Sequence, residues 1–365
     1  MRTASIRRLL LSALGGLTAL SGVAAAHGGG HPRPYPQWLA LAVLVAGVVV
    51  AAGSVFLGRG DVPRSSALGG VFLGLVVAAG GAVGLVQLSP VETLRASQMP
   101  IARAWYGPLT LAVGVGIALV SLVAGRLKYP DRPRFAMLGA LLGMWVAYPV
   151  LGSRTNPVGY LLVVALPLAV GYVLYRDARE PLARVLRDGA ARRFGVGTGV
   201  LAGLFFMFSM GMITFVPEHG INMPTHRFVT VAPVANPLVY WSAVEFYFPS
   251  VPTSGVVSLG MAIQVGVVAV LVGLNGAVVA RQWLADASAG TTEATTGTAA
   301  VAAPNACCCC GPIVSELAVV AVGPSAAAPL YWLFVDLASP VGALFFVGSV
   351  ALLAGNLAYF GVESA

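Results

Sequence analysis

A chain of 365 residues with 58% hydrophobic residues, only 9% charged residues and a mean hydropathy of +0.87 cannot be a water-soluble globule, which normally carries about 25% charge. Composition predicts an all-α fold, a polytopic helix bundle in a lipid bilayer. The formal charge of +8 sits in short clusters between apolar runs, as in cytoplasmic membrane loops, so no nucleic-acid partner is expected.

Residues 1–26 combine a basic start (Arg2, Arg7, Arg8), an apolar stretch from Leu9 to Val23 and the small run Ala24-Ala25-Ala26. That pattern predicts a secretory signal peptide whose cleavage leaves His27 first, with an uncleaved signal anchor as the alternative. A His-containing extracytoplasmic N-terminus occupies 27–37. Apolar runs then follow at 38–57, 67–88, 107–125, 135–152, 158–175, 195–216, 255–280, 312–335 and 340–361. Most approach the roughly 20 residues needed to cross the hydrocarbon core, which predicts about nine transmembrane helices. They divide into a seven-helix membrane region at 38–283 with a large outer loop at 217–254, a flexible cytoplasmic linker at 284–311, and a two-helix region at 312–365.

Orientation follows from cations. With the mature N-terminus outside and the C-terminus cytoplasmic, the inner side receives Arg59, Arg64, Arg126, Lys128, Arg132, Arg134, Arg176, Arg179, Arg184, Arg187, Arg192, Arg193 and Arg281. Only Arg33, Arg95, Arg103, Arg154 and Arg227 fall outside. This bias agrees with the signal peptide and predicts a multi-pass protein of the cell membrane. The segment 175–194 sets Leu182, Val185 and Leu186 among six arginines and predicts a short amphipathic helix at the inner interface.

Small residues four apart, at Gly70/Gly74, Gly80/Gly84, Gly139/Gly143 and Gly195/Gly199, let helix backbones approach closely and predict tight packing within the bundle. Pro149, Pro167, Pro324 and Pro329 fall inside or near span ends, and the span at 312–335 is the one expected to break. Tyr240, Trp241, Phe246, Tyr247 and Phe248, with Glu245 at their polar edge, predict an aromatic belt or a re-entrant helix in the outer loop.

Neither an H-E-x-x-H zinc motif nor a G-x-S-x-G elbow nor a Walker loop occurs in the sequence. What chemistry there is lies in soft and borderline ligands. All four histidines, His27, His31, His219 and His226, fall on the outer side of the predicted topology. Met223 stands between the last two, and Met207, Met210 and Met212 end the preceding span. Imidazole suits copper and zinc, and thioether selects cuprous copper, so a copper site is expected from His27, His31, His219, Met223 and His226. An N-terminal His27 would chelate through both amine and imidazole. In this it resembles the N-terminal histidine of secreted copper proteins, including the copper-bearing subunit of particulate methane and ammonia monooxygenases, over a handful of residues and none of the spans.

Cys307, Cys308, Cys309 and Cys310 are contiguous, face the cytoplasm in this topology, and directly precede a predicted helix whose N-terminal dipole favours thiolates. They are a second candidate metal or thiol site, with palmitoylation as the alternative. The expected function is metal handling or transfer at the outer face, with an extracytoplasmic metal or redox protein as partner. Two alternatives stay open: a membrane subunit of a copper- or haem-dependent redox enzyme, and a structural membrane protein without a cofactor.

Overall fold

The computed structural model describes residues 37–60, 62–87, 101–151, 157–215, 226–236, 239–250, 253–285 and 342–363, together with residues 318, 329, 330 and 332. In chain order the helices are α1 (Gln37–Leu57), α2 (Arg64–Gln87), α3 (Tyr106–Lys128), α4 (Pro133–Leu151), α5 (Pro157–Asp177), α6 (Arg179–Arg187) and α7 (Gly189–Ser209). Three strands follow, β1 (Phe228–Asn236), β2 (Val239–Phe248) and β3 (Thr253–Ser258), and then α8 (Leu259–Ala285) and α9 (Gly342–Glu363). The described chain is mostly helical. Five of these helices, α1, α2, α3, α5 and α8, are long and apolar enough to cross a membrane.

Glycine determines how these helices pair. A side chain at Gly47 would meet the backbone of Ala78, one at Gly74 that of Ala51, and one at Gly81 that of Leu44, so α1 and α2 lie antiparallel in backbone contact. Gly114, Gly125 and Gly143 play the same part between α3 and α4, against Ala147, Ala136 and Ala118. A third hairpin joins α7 to α8 where Gly195, Gly199 and Gly273 face one another. Close approach compensates for the missing hydrophobic drive between helices in lipid. Three of the four predicted glycine pairs lie in these seams. The fourth is displaced by one residue, since Gly80 faces open space and Gly81 makes the contact.

The hairpins assemble around a core of Leu142, Trp145, Leu166, Leu271, Leu353 and Leu357, drawn from α4, α5, α8 and α9. Trp145 stacks on Phe346 with ring centres 4.8 Å apart. One polar node lies within this core. Asn275, 0% exposed, donates through Nδ2 to the carbonyls of Leu271 (2.8 Å) and Leu353 (3.2 Å). Asn356 Nδ2 in turn donates to Asn275 Oδ1 at 2.7 Å. Interhelical hydrogen bonds of this kind contribute about 0.6–2 kcal/mol each in membranes and fix the register of α9 against α8.

All thirteen cations assigned to the inner side gather at one end of the bundle. Arg64 Nη1 donates to Trp283 O at 2.7 Å, which ties the start of α2 to the end of α8 beside Arg281. Arg134 Nε donates to Asp177 Oδ2 at 2.6 Å and its Nη2 donates to Oδ1, joining the start of α4 to the end of α5. Next in the chain comes α6, whose Pro181, Leu182 and Val185 are buried against the bundle while its arginines stay outside. The predicted amphipathic helix is present, but its apolar face is covered by protein. Asp188 then caps α7, its carboxylate accepting from the N–H groups of Ala190 (2.8 Å) and Ala191 (3.1 Å).

The outer surface of the helices is apolar. Val48, Val49, Leu119, Val120, Val123, Leu161, Leu168, Val196, Val200 and Val270 are exposed, which suits lipid chains and not water. Exposed Trp38 and Trp105 stand at one end and exposed Tyr129 and Tyr175 at the other, where amphipathic rings meet headgroups.

The sheet departs from the all-α expectation. In place of a belt or re-entrant helix in the 217–254 loop, residues 228–258 hold three antiparallel strands in the order β1-β2-β3. Phe228 pairs with Tyr247 and Asn236 with Val239 in one ladder, and Ala243 pairs with Ser258 and Phe248 with Thr253 in the other. The physical reason is composition: Val, Thr and aromatic residues fit a pleated surface. Pro233 is tolerated because β1 is an edge strand among the described residues. The apolar run predicted to start at 255 therefore begins as β3, and its helix starts at Leu259. Of the run at 312–335 only residues 318, 329, 330 and 332 are described.

Candidate functional site

The sheet stands at the end of the bundle away from the cation cluster, and a short polar frame holds it there. Helix α7 stops where Gly211 takes a φ of +69°, a left-handed cap that only glycine adopts at low cost. The chain then turns back, and Thr214 exchanges two backbone hydrogen bonds with Ser254, N–H to O at 2.7 and 2.8 Å. Gln87, the last residue of α2, brackets this turn. Its Nε2 donates to the carbonyls of Phe208 (2.8 Å) and Ile213 (3.3 Å), and its Oε1 accepts from Phe215 N at 3.2 Å. One amide thus binds three backbone groups at the end of α7 and in the turn that follows it. Gly255 completes the seat, since a side chain there would run into Met212 O and the Phe246 ring.

On this frame His226 is exposed, two residues ahead of β1 and beside Arg227. The Phe228 and Tyr247 rings lie 6.0 Å apart across the first ladder, so the strand that follows His226 begins at a packed aromatic pair. Met212 is a core residue at 3% exposure, and Met207 and Met210 pack against the same core. Their thioethers therefore serve packing first. An isolated imidazole supplies one ligand to an ion, and a stable copper or zinc site needs three or four. Among the described residues no group of three His, Cys, Asp or Glu lies close enough to hold a metal ion. His27, His31, His219, Met223 and Cys307 to Cys310 lie outside the described residues.

Reading the sequence alone missed Gln87, Thr214 and Ser254. Gln87 carries a signal of its own, as the only amide in an otherwise apolar stretch of α2. The Thr214–Ser254 bridge spans 40 residues of chain and has no local signature. No family model, no curated protein and no solved structure matches the chain.

Proposed function

We propose that the chain is an integral protein of the cell membrane that crosses it nine times, with the cation cluster in the cytoplasm and the sheet outside. At its outer face it binds a transition metal, copper by ligand chemistry, and takes part in metal handling or transfer. The observation that supports this reading is the placement of His226. It stands exposed two residues ahead of β1, at the bundle end that is poor in cations. His219 and Met223 lie within seven residues of it in sequence, and His27 and His31 belong to the same side in the predicted topology. Soft and borderline donors of this mixture favour copper over harder ions.

A second reading, a structural membrane partner without a cofactor, is favoured by β1. Val229 and Val231 are 63% and 68% exposed on this strand, which is an edge strand among the described residues, and an edge strand with exposed apolar side chains is a template for a strand from another protein.

Metal analysis of the purified chain separates the two. Replacing His219 and His226 together by Ala should remove most of the bound copper while membrane insertion stays unchanged, whereas replacing Cys307 to Cys310 by Ser should leave the outer ion in place. Ligation requires neutral imidazole, so acid should release the ion from the unmodified chain. Full metal content in the double variant would end the metal reading.

A further inference from the structure

A cavity of about 560 Å³ opens at the cation-rich end, between α4 and α9 with α5 at its back. Its size falls in the range of small-molecule sites, on the order of 300–1,000 Å³. The two halves of its lining differ in chemistry. The mouth is formed by Lys128, Tyr129, Asp131 and Arg132 in the turn between α3 and α4, and the interior wall by apolar residues such as Leu142 and Ala354.

Charge at the mouth is unequal. Asp177 is only 3% exposed and is already satisfied by Arg134, which reaches both carboxylate oxygens. Arg132 approaches the same carboxylate at 3.6 Å, an ion contact too long for a hydrogen bond. The charge of Arg132 is therefore in excess of what Asp177 needs. With Lys128 it outweighs Asp131, and the mouth is cationic. Lys128 Nζ lies 5.9 Å from the Tyr129 ring centre, and Tyr129 packs edge-on against Phe135 at 5.5 Å. The amine is thus held at the rim by an anchored ring.

A cationic rim above an apolar slot, at the level of an aromatic belt, matches an amphiphile with an anionic head. We propose that this cavity binds one anionic phospholipid of the surrounding bilayer. Its phosphate is held by Lys128 and Arg132, and one acyl chain lies between α4 and α9. Basic pockets between helices on the cytoplasmic side are suited to this chemistry. The inference rests on the bilayer reading above and is independent of the metal reading.

The test uses the full chain in phosphatidylcholine bilayer discs with and without phosphatidylglycerol, and counts lipid retained per chain by native mass spectrometry after detergent extraction. Phosphatidylglycerol should be retained preferentially, and Lys128→Gln and Arg132→Gln should each reduce that retention about fivefold. A variant that alters the slot alone is Gly355→Leu, because Gly355 lines the cavity and a Cβ there meets nothing within 4 Å. It should empty the slot without unfolding the chain. Equal retention of the two lipids, or unchanged retention in all three variants, would overturn the proposal. Displacement of the lipid by inorganic phosphate alone would also overturn it, since the acyl slot would then contribute nothing. A chain that fails to enter membranes at all would refute the bilayer reading instead.

Discussion

Gly74→Leu should separate α1 from α2 and lower the thermal midpoint of the purified protein by roughly 5 °C or more. A Cβ at this position would stand 2.7 Å from Ala51 Cα and nearer still to its backbone nitrogen. Neither helix can yield without moving its whole backbone. Overpacking in a core costs about 1–3 kcal/mol, and the upper end applies where the obstacle is main chain and not a flexible side chain. The seam also loses the van der Waals contact that holds helices together in lipid, because the same displacement pushes Gly47 off Ala78 and Gly81 off Leu44. Gly80→Ala is the control one turn and a half further on. It faces open space, gains helix propensity, and should leave the midpoint unchanged or slightly higher. Equal losses in both variants would show that the helices do not meet at this face.

Arg134→Ala should be the most damaging single change at the cation-rich end. It removes both charge-assisted hydrogen bonds to Asp177 and leaves a carboxylate that is 3% exposed with Arg132 alone, at 3.6 Å. Breaking a buried pair by deleting one partner costs about 3–5 kcal/mol, and the lower figure fits here because one cation remains in reach. Asp177→Asn adds a useful comparison. It removes the buried charge along with its need for a partner, so Arg134→Ala in that background should cost only about 1 kcal/mol. The measurement is a double-mutant cycle on thermal midpoints in detergent. If the two losses simply add, the pair is not coupled and the start of α4 is held to α5 by apolar packing alone.

How much of this was legible in the sequence depended on the range of the signal. Helices α1 to α5 announced themselves through runs of about 20 apolar residues. The seams at Gly74, Gly143 and Gly195 followed from small residues four apart, because helical periodicity converts that spacing into a face. The β-sheet was obscured by the same apolar bias. Stretches such as Phe228–Asn236 and Val239–Phe248 are rich in β-branched and aromatic residues, yet in a chain this hydrophobic they resemble a membrane interface. Thr253–Ser258 merged with α8 into one apolar run, and only pairing with β2 separates them. Gln87 stood out as the only amide of α2, but its partners could not be read, since they lie over 120 residues away. Of the predicted metal ligands, His226 alone falls among the described residues.

Sidedness underlies both the proposed outer metal site and the proposed cytoplasmic placement of Cys307 to Cys310. Labelling of intact cells with a membrane-impermeant thiol reagent tests it directly. Ser250 follows β2 in an exposed turn and Ala183 is exposed on α6 at the cation-rich end. In a chain whose own cysteines are replaced by Ser, Ser250→Cys should react in intact cells, and Ala183→Cys should react only after permeabilisation. The native Cys307 to Cys310 should likewise stay unmodified until the membrane is opened. Reaction of Ala183→Cys or of the native cysteines in intact cells, with Ser250→Cys protected, would contradict the account.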